Sequence, residues 1–148
     1  MALDTGNGAT ITFATSGFTA SFIMLGGHEM EVPDINISHL GTTTSERFQP
    51  GDLVNRGEFE GEFFWNGTTT PPTVGQVSAT VISENVTVTG PTAPGGSSGP
   101  IWAGKAYIKK LKTADYQNNE MQKGKITIKW DGQTTAAGAG GPAYTAAT

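Results

Sequence analysis

The chain has 148 residues, 21 glycines, 8 prolines, 15% charged residues, no cysteine and a formal charge of −4. This length fits one domain with a real core, and the glycine, proline and threonine content suits short strands and turns rather than helices. The composition excludes a disulfide framework, a thiolate metal site, a cysteine nucleophile and a membrane-crossing helix of about 20 apolar residues, and its acidic balance argues against nucleic-acid binding.

Met1-Ala2-Leu3-Asp4 lacks a basic stretch followed by an apolar one, so no signal peptide and folding in a cytoplasm are expected. Residues 1–9 read as an N-terminal arm. Its Gly6-Asn7-Gly8 has neither the preceding strand nor the following Lys-Ser/Thr of a phosphate loop. Thr10–Thr15 predicts a strand with Ile11 and Phe13 on one face. Phe18, Ala20, Phe22 and Met24 alternate into a second strand that stops at Gly26-Gly27. Val32, Ile35 and Ile37 are strand-type, but Pro33 restricts their segment to an edge, a strand start or a bulge. His28 and His39 bracket it. A ligand or general base needs partners at suitable spacing, and both histidines read as polar loop residues.

From Leu40 to Gly57 the periodicity disappears. A loop of roughly 18 residues exceeds the usual ceiling of about 12–15, which points to function or disorder. Phe48, Leu53 and Val54 around the Pro50-Gly51 turn argue against disorder. The segment either folds over its own core or docks on a neighbouring subunit. Glu58–Asn66 then alternates with period two: Glu58, Glu60, Glu62 and Phe64 face one way, Phe59, Gly61, Phe63 and Trp65 the other.

Val77–Ile82 and Val86–Thr89 predict two strands around Ser83-Glu84-Asn85, or one bent strand, with Val77, Ala79 and Val81 inward. Gly90–Pro100 is a flexible loop by composition. Ile101–Lys112 predicts a strand with Ala106 and Ile108 on one face and Tyr107, Lys109 and Leu111 on the other. Thr113–Gly124 is a polar connection with a helical turn expected near Tyr116. In Lys125–Trp130, Ile126, Ile128 and Trp130 point in and Lys125, Thr127 and Lys129 out, before an Asp131-Gly132 turn. Gln133–Thr148, rich in Ala, Gly and Thr, is expected to be a tail on a domain spanning residues 10–132, disordered by composition unless a partner pins it.

Some seven strands, an early long loop and a late Gly-rich loop indicate a β-sandwich. Three stretches follow in a recognisable order: Phe48-Gln49-Pro50-Gly51-Asp52-Leu53-Val54-Asn55-Arg56-Gly57-Glu58-Phe59, Phe63-Phe64-Trp65-Asn66, and Met121–Gly132. That order resembles the tail tube (major tail) proteins of long-tailed bacteriophages over roughly Thr10 to Gly132, by degenerate motifs rather than a fingerprint. Thr68–Gln76 departs from it, because Pro71-Pro72 shortens or removes a helix that many members carry there.

The resemblance implies an all-β sandwich or barrel of the tail-tube type with a long inter-subunit loop and little helix. It implies stacked rings of six subunits in a virion tail assembled in the host cytoplasm. A tape-measure protein would occupy the lumen, tail terminator and distal tail proteins the ends, and DNA would pass without specific binding. It implies no cofactor, no metal and no catalytic residue. Carried onto this chain, the inter-ring loop is Leu40–Gly57, with Phe48, Leu53 and Val54 as buried contacts beside Pro50, and Arg47, Asp52 and Arg56 as polar ones.

Carboxylates at alternate positions sit roughly 7 Å apart, inside a Debye length of about 8 Å, so Glu58, Glu60 and Glu62 would act as one patch. Facing a lumen, they would repel phosphates. Alternatively they pair across the sheet with Lys109, Lys125 or Lys129 on an outer surface.

Two other readings stand beside the phage tube. A tube protein of a contractile injection or secretion system would share the fold. A carbohydrate-binding β-sandwich would use Trp65, Trp102 and Trp130 as a stacking platform, although only Trp102 is expected to be exposed. An enzyme has least support, since nothing in the chain is arranged to run chemistry. The Asn-x-Ser/Thr triplets at Asn36, Asn66 and Asn85 are expected by chance and carry no role.

Overall fold

The structure is a computed structural model and describes residues 6–66, 70–136 and 138–148. All regular structure among these residues is β. The strands are β1 (Thr10–Phe13), β2 (Ser21–Leu25), β3 (Asp34–Asn36), β4 (Phe48–Pro50) and β5 (Glu58–Phe64). They continue with β6 (Glu84–Thr89), β7 (Ile101–Lys112), β8 (Lys123–Trp130) and β9 (Ala143–Thr145). One antiparallel sheet runs in the order β1-β6-β7-β8-β5-β2, with β9 added to β7, while β3 and β4 form a separate ribbon.

Period-two alternation places one row of each strand inside. Phe59 and Phe63 of β5 meet Ile126, Ile128 and Trp130 of β8, Ala106 and Ile108 of β7, Val86 of β6 and Phe13 of β1. The sheet curls around this row. Phe18, in the connection between the two edge strands, lies 5.7 Å from Phe13, 6.3 Å from Phe22 and 5.6 Å from Phe63, ring centre to ring centre. It thereby bridges β1 to β2 and β5 and closes the open side of a barrel-like sandwich. Gly124 on β8 is required by this packing, because a Cβ there would sit 2.7 Å from the Phe63 ring.

The strands expected at Thr10–Thr15, Glu58–Asn66, Ile101–Lys112 and Lys125–Trp130 are present within a few residues. Four expectations are corrected. Val77–Ile82 is no strand: Ser78 and Val81 close a tight turn, and Ile82 is exposed. The strand begins instead at Glu84, whose buried carboxylate accepts from Thr15 N (3.0 Å), Ser16 N (2.5 Å) and Ser16 Oγ (2.7 Å). This clamp fixes the turn that delivers Phe18.

On β7 the register shifts between Ile108 and Lys110, so Leu111 pairs with Ile126 and packs on the core rather than facing outward with Tyr107. A bulge adds one residue and turns the following side chains over. Near Tyr116 the chain makes no helical turn, and the tyrosine is exposed.

Finally, the expected disordered tail is folded. β9 pairs Ile101↔Thr145, Trp102↔Tyr144 and Ala103↔Ala143, and Thr148 accepts a backbone hydrogen bond from Ser97 at 2.7 Å. Most of the expected N-terminal arm, and part of the Thr68–Gln76 departure, lie outside the described residues.

Candidate functional site

Two surfaces on this framework carry side chains that the core does not use. The first is an arm. After Gly26-Gly27 the chain leaves the sheet and returns at Gly57, and the two legs pair with each other. Glu31 and Asn55 exchange backbone hydrogen bonds of 2.9 and 2.7 Å. Asp34↔Pro50, Ile35↔Gln49 and Asn36↔Phe48 form the ladder, and Ile37 N donates to Arg47 O at 2.9 Å. Ser38 Oγ accepts from Arg47 N at 2.7 Å, and His39 with Thr42 makes the tip turn.

Leu40–Gly57 is therefore half of a hairpin, not an unpaired loop. Prolines are tolerated because a two-stranded ribbon has free edges. At about 3.3 Å per residue, the nine steps from Glu31 to Leu40 allow a reach of at most about 30 Å. The return is fixed by Gly57, with φ +82°, where a Cβ would collide with the Glu29 carbonyl.

Most of the arm's apolar side chains stand exposed among the described residues. Phe48 is 54% exposed, Leu53 82% and Val54 46%, with Ile35, Ile37 and Leu40 also exposed. Between the two possibilities for these anchors, folding back over the core does not occur. Arg47, Phe48, Pro50, Asp52, Leu53 and Val54 all lie on this one projection, and Arg56 sits at its base, 3.9 Å from the Met30 sulfur.

The second surface is the outward face of β5, β8 and β7. Glu58, Glu60 and Glu62 do share this face, opposite Lys129, Thr127 and Lys125. Lys109 Nζ donates to Glu58 Oε2 at 2.9 Å, and Lys125 Nζ lies 2.9 Å from Glu60 Oε2. The hydrogen bond from Lys109, together with the charges of Lys109, Lys129 and Lys110, holds the Glu58 carboxyl below its usual pKa. Cross-strand pairing, the alternative to an isolated acidic patch, is thus formed for two of the three glutamates.

Sequence reasoning missed the larger feature, which is that every lysine of the chain lies on β7 or β8. The signal was present, since all of them fall between residues 105 and 129, but adjacency of the two strands is needed to read it as one surface.

The histidines separate. His39 accepts from Gly41 N at 3.1 Å in the arm's tip, as a polar loop residue. His28, at the arm's base, differs from that expectation. Its ring stands edge-on to Trp102 at 4.6 Å and near Trp130 at 5.8 Å, and burial lowers its pKa. Trp102 is half-buried between His28 and Tyr144, whose ring lies 4.9 Å away, so it is not the exposed sugar platform expected. Trp65 stacks on Phe63, and Trp130 is buried. Among the described residues no three His, Cys, Asp or Glu side chains come together to hold a metal ion.

No family model and no curated protein matches the sequence. Solved structures share its fold. It is similar to a chain of the sheath/tube terminator of an extracellular contractile injection system, PVC, in the extended state. The TM-score is 0.66 at 12% identity, over 88% of this chain and 94% of that one. A chain of the PVC sheath-tube complex in the extended state gives 0.61 at 13% identity, over 83% and 84%. A chain of the six-fold symmetrised baseplate of the anti-feeding prophage gives 0.60 at 11% identity, over 83% and 87%. The likeness at these identities is one of fold, and it takes in most of each chain.

Proposed function

We propose that this chain is a structural subunit of a phage-tail-like tube, in which copies assemble into rings that stack through the hairpin arm. The observation that carries this reading is the fold shared with chains of a sheath/tube terminator, a sheath-tube complex and a baseplate over 83% or more of both partners. The arm supports it. An exposed ribbon bearing Phe48, Leu53 and Val54 would cost apolar hydration in a monomer, and a neighbouring subunit would relieve it at about 25 cal/mol per Å² buried. Arg47, Asp52 and Arg56 would then form the polar rim of that contact, beside Pro50.

Two of the three neighbours are parts of a contractile injection system, which favours an injection-system tube over the tail of a long-tailed phage. In either case terminator and baseplate-type proteins would be the partners at the tube's ends, and a tape-measure protein and passing DNA belong to the phage reading. The face carrying Glu58, Glu60 and Glu62 would line a lumen as a mixed-charge wall rather than an acidic one.

Negative-stain microscopy across a concentration series tests the assembly. Rings or tubes of uniform diameter are expected from the intact chain, and Leu53→Asp with Phe48→Asp should leave folded monomers. Intact protein that stays monomeric at every concentration would overturn the reading.

A further inference from the structure

We infer that the outward face of β7 and β8 is a contact surface for the phosphate backbone of nucleic acid. The average charge of −4 conceals a segregation. All seven lysines sit on these two adjacent strands, and the register places Lys105, Lys110 and Lys112 beside Lys123, Lys125 and Lys129 on one face. Lys109 reaches the same face from the bulge, through its bond to Glu58.

Against these seven stand Glu58, Glu60, Glu62, Asp115 and Glu120, the last lining one depression with Lys112, Lys123 and Lys125, which leaves a formal excess of two positive charges. Lys109, Lys125 and Lys112 are engaged with Glu58, Glu60 and Asp115, at 2.9, 2.9 and 3.3 Å. Lys105, Lys110, Lys123 and Lys129 form no salt bridge among the described residues, although Lys110 and Lys129 lie near enough to Glu58 to act on its carboxyl. Along each strand these four stand about 15 to 20 Å apart, and the salt-bridged lysines fill the space between them, so the positive field belongs to the whole lysine row on the two strands.

The chemistry of the face selects the partner. Between Lys105 and Lys112 its uncharged positions are Tyr107 and the buried Thr127, and the depression there is lined mostly by charged side chains with Leu111 among them. The acidic arm of a second copy fits poorly, because Phe48, Leu53 and Val54 would be laid against hydrated ammonium groups. A phosphodiester backbone needs only regularly placed cations, and its counterions are released on contact whatever the sequence. With a single tyrosine for stacking, the contact is independent of base sequence. The inference stands apart from ring formation, since the face is complete within one subunit.

The test is fluorescence anisotropy with a labelled 30-mer duplex between 50 and 200 mM salt. Contacts to about four phosphates give a log–log slope near −3.6, a loss of about 100-fold in affinity over that range. Lys110→Glu with Lys129→Glu should abolish binding, and the milder Lys110→Ala with Lys129→Ala should weaken it about tenfold with an unchanged melting temperature. Glu58→Gln with Glu62→Gln should tighten it, while Thr44→Glu at the arm's exposed tip should leave it unchanged. Absent or salt-independent binding would overturn the inference. So would equal loss in the arm variant, or equal affinity for poly-glutamate of matched charge, which would mark an acidic protein as the partner.

Discussion

The hairpin arm and the C-terminal segment both follow a strand of the curled sheet, and each is rich in turn formers, yet their backbones are satisfied in opposite ways. The arm satisfies its backbone internally, leg against leg, and leaves Ile35, Leu40, Phe48 and Leu53 in solvent. The C-terminal segment carries mostly Ala, Gly and Thr and lies down on the molecule. β9 takes the edge of β7 at Ile101–Ala103, beyond the point where β8 begins to pair at Ala106↔Trp130. Without it those β7 backbone groups would be an open edge, the kind that invites pairing with another chain. Apolar content therefore does not say which segment docks on its own subunit's sheet. Available sheet edge does, and in the proposed assembly a neighbouring subunit would bury the apolar anchors of the arm.

The sharpest way to break this contrast is to truncate one apolar residue on each side of it. Phe63→Ala empties a fully buried site among Phe18, Phe22 and Trp65, and should cost about 3–5 kcal/mol in urea denaturation. Leu53→Ala on the arm should change monomer stability by no more than about 0.5 kcal/mol while weakening assembly. Equal destabilisation by the two would mean that the arm packs on its own subunit after all.

Next in size is Glu84→Ala. It leaves Thr15 N and Ser16 N without their acceptor in a part-buried turn and should cost about 2–3 kcal/mol, since hydrogen bonds to a charged group are the stronger ones. A change below 1 kcal/mol would show that the turn holds Phe18 without the clamp.

These two sites also separate what could be read from the chain and what could not. The alternation of β5 and β8 is local, so Phe59, Phe63, Ile126 and Ile128 were legible as core from the sequence. Glu84 was not. An acid between Ser83 and Asn85 looks like a turn, and only the partner 68 positions away at Ser16 makes it the start of a strand. Leu111 was misplaced because a bulge leaves no mark on an alternating pattern, and β9 because pairing with a distant edge is invisible in composition. On the candidate surfaces, the arm's anchors were legible as residues but not as a hairpin. The glutamates were legible as a face, but not the lysines that partner two of them.

On the other side of the contrast, Tyr144→Ala removes the ring over Trp102. An aromatic pair contributes about 0.5–1.5 kcal/mol, so a loss near 1 kcal/mol is expected. Amide exchange at Ile101 and Ala103, next to the β9 pairing, should accelerate selectively. Exchange spread evenly over the sheet would show that β9 is not a separate unit.

The smallest expected effect is the one that joins the two regions. His28 at the arm's base and Tyr144 of β9 both pack on Trp102. Burial depresses the His28 pKa below its ordinary 6.5, so the folded chain holds this ring neutral where the unfolded chain takes up a proton. Its contribution to stability is therefore complete above about 6.5 and declines as pH falls below that value, levelling off beneath the folded pKa. Melting temperature measured between pH 7.5 and 5 should drop more in the wild-type chain than in His28→Phe, which keeps an aromatic ring there and removes the titration. Parallel curves would mean that His28 exchanges protons freely with solvent, and that the arm's base is looser than its packing on Trp102 implies.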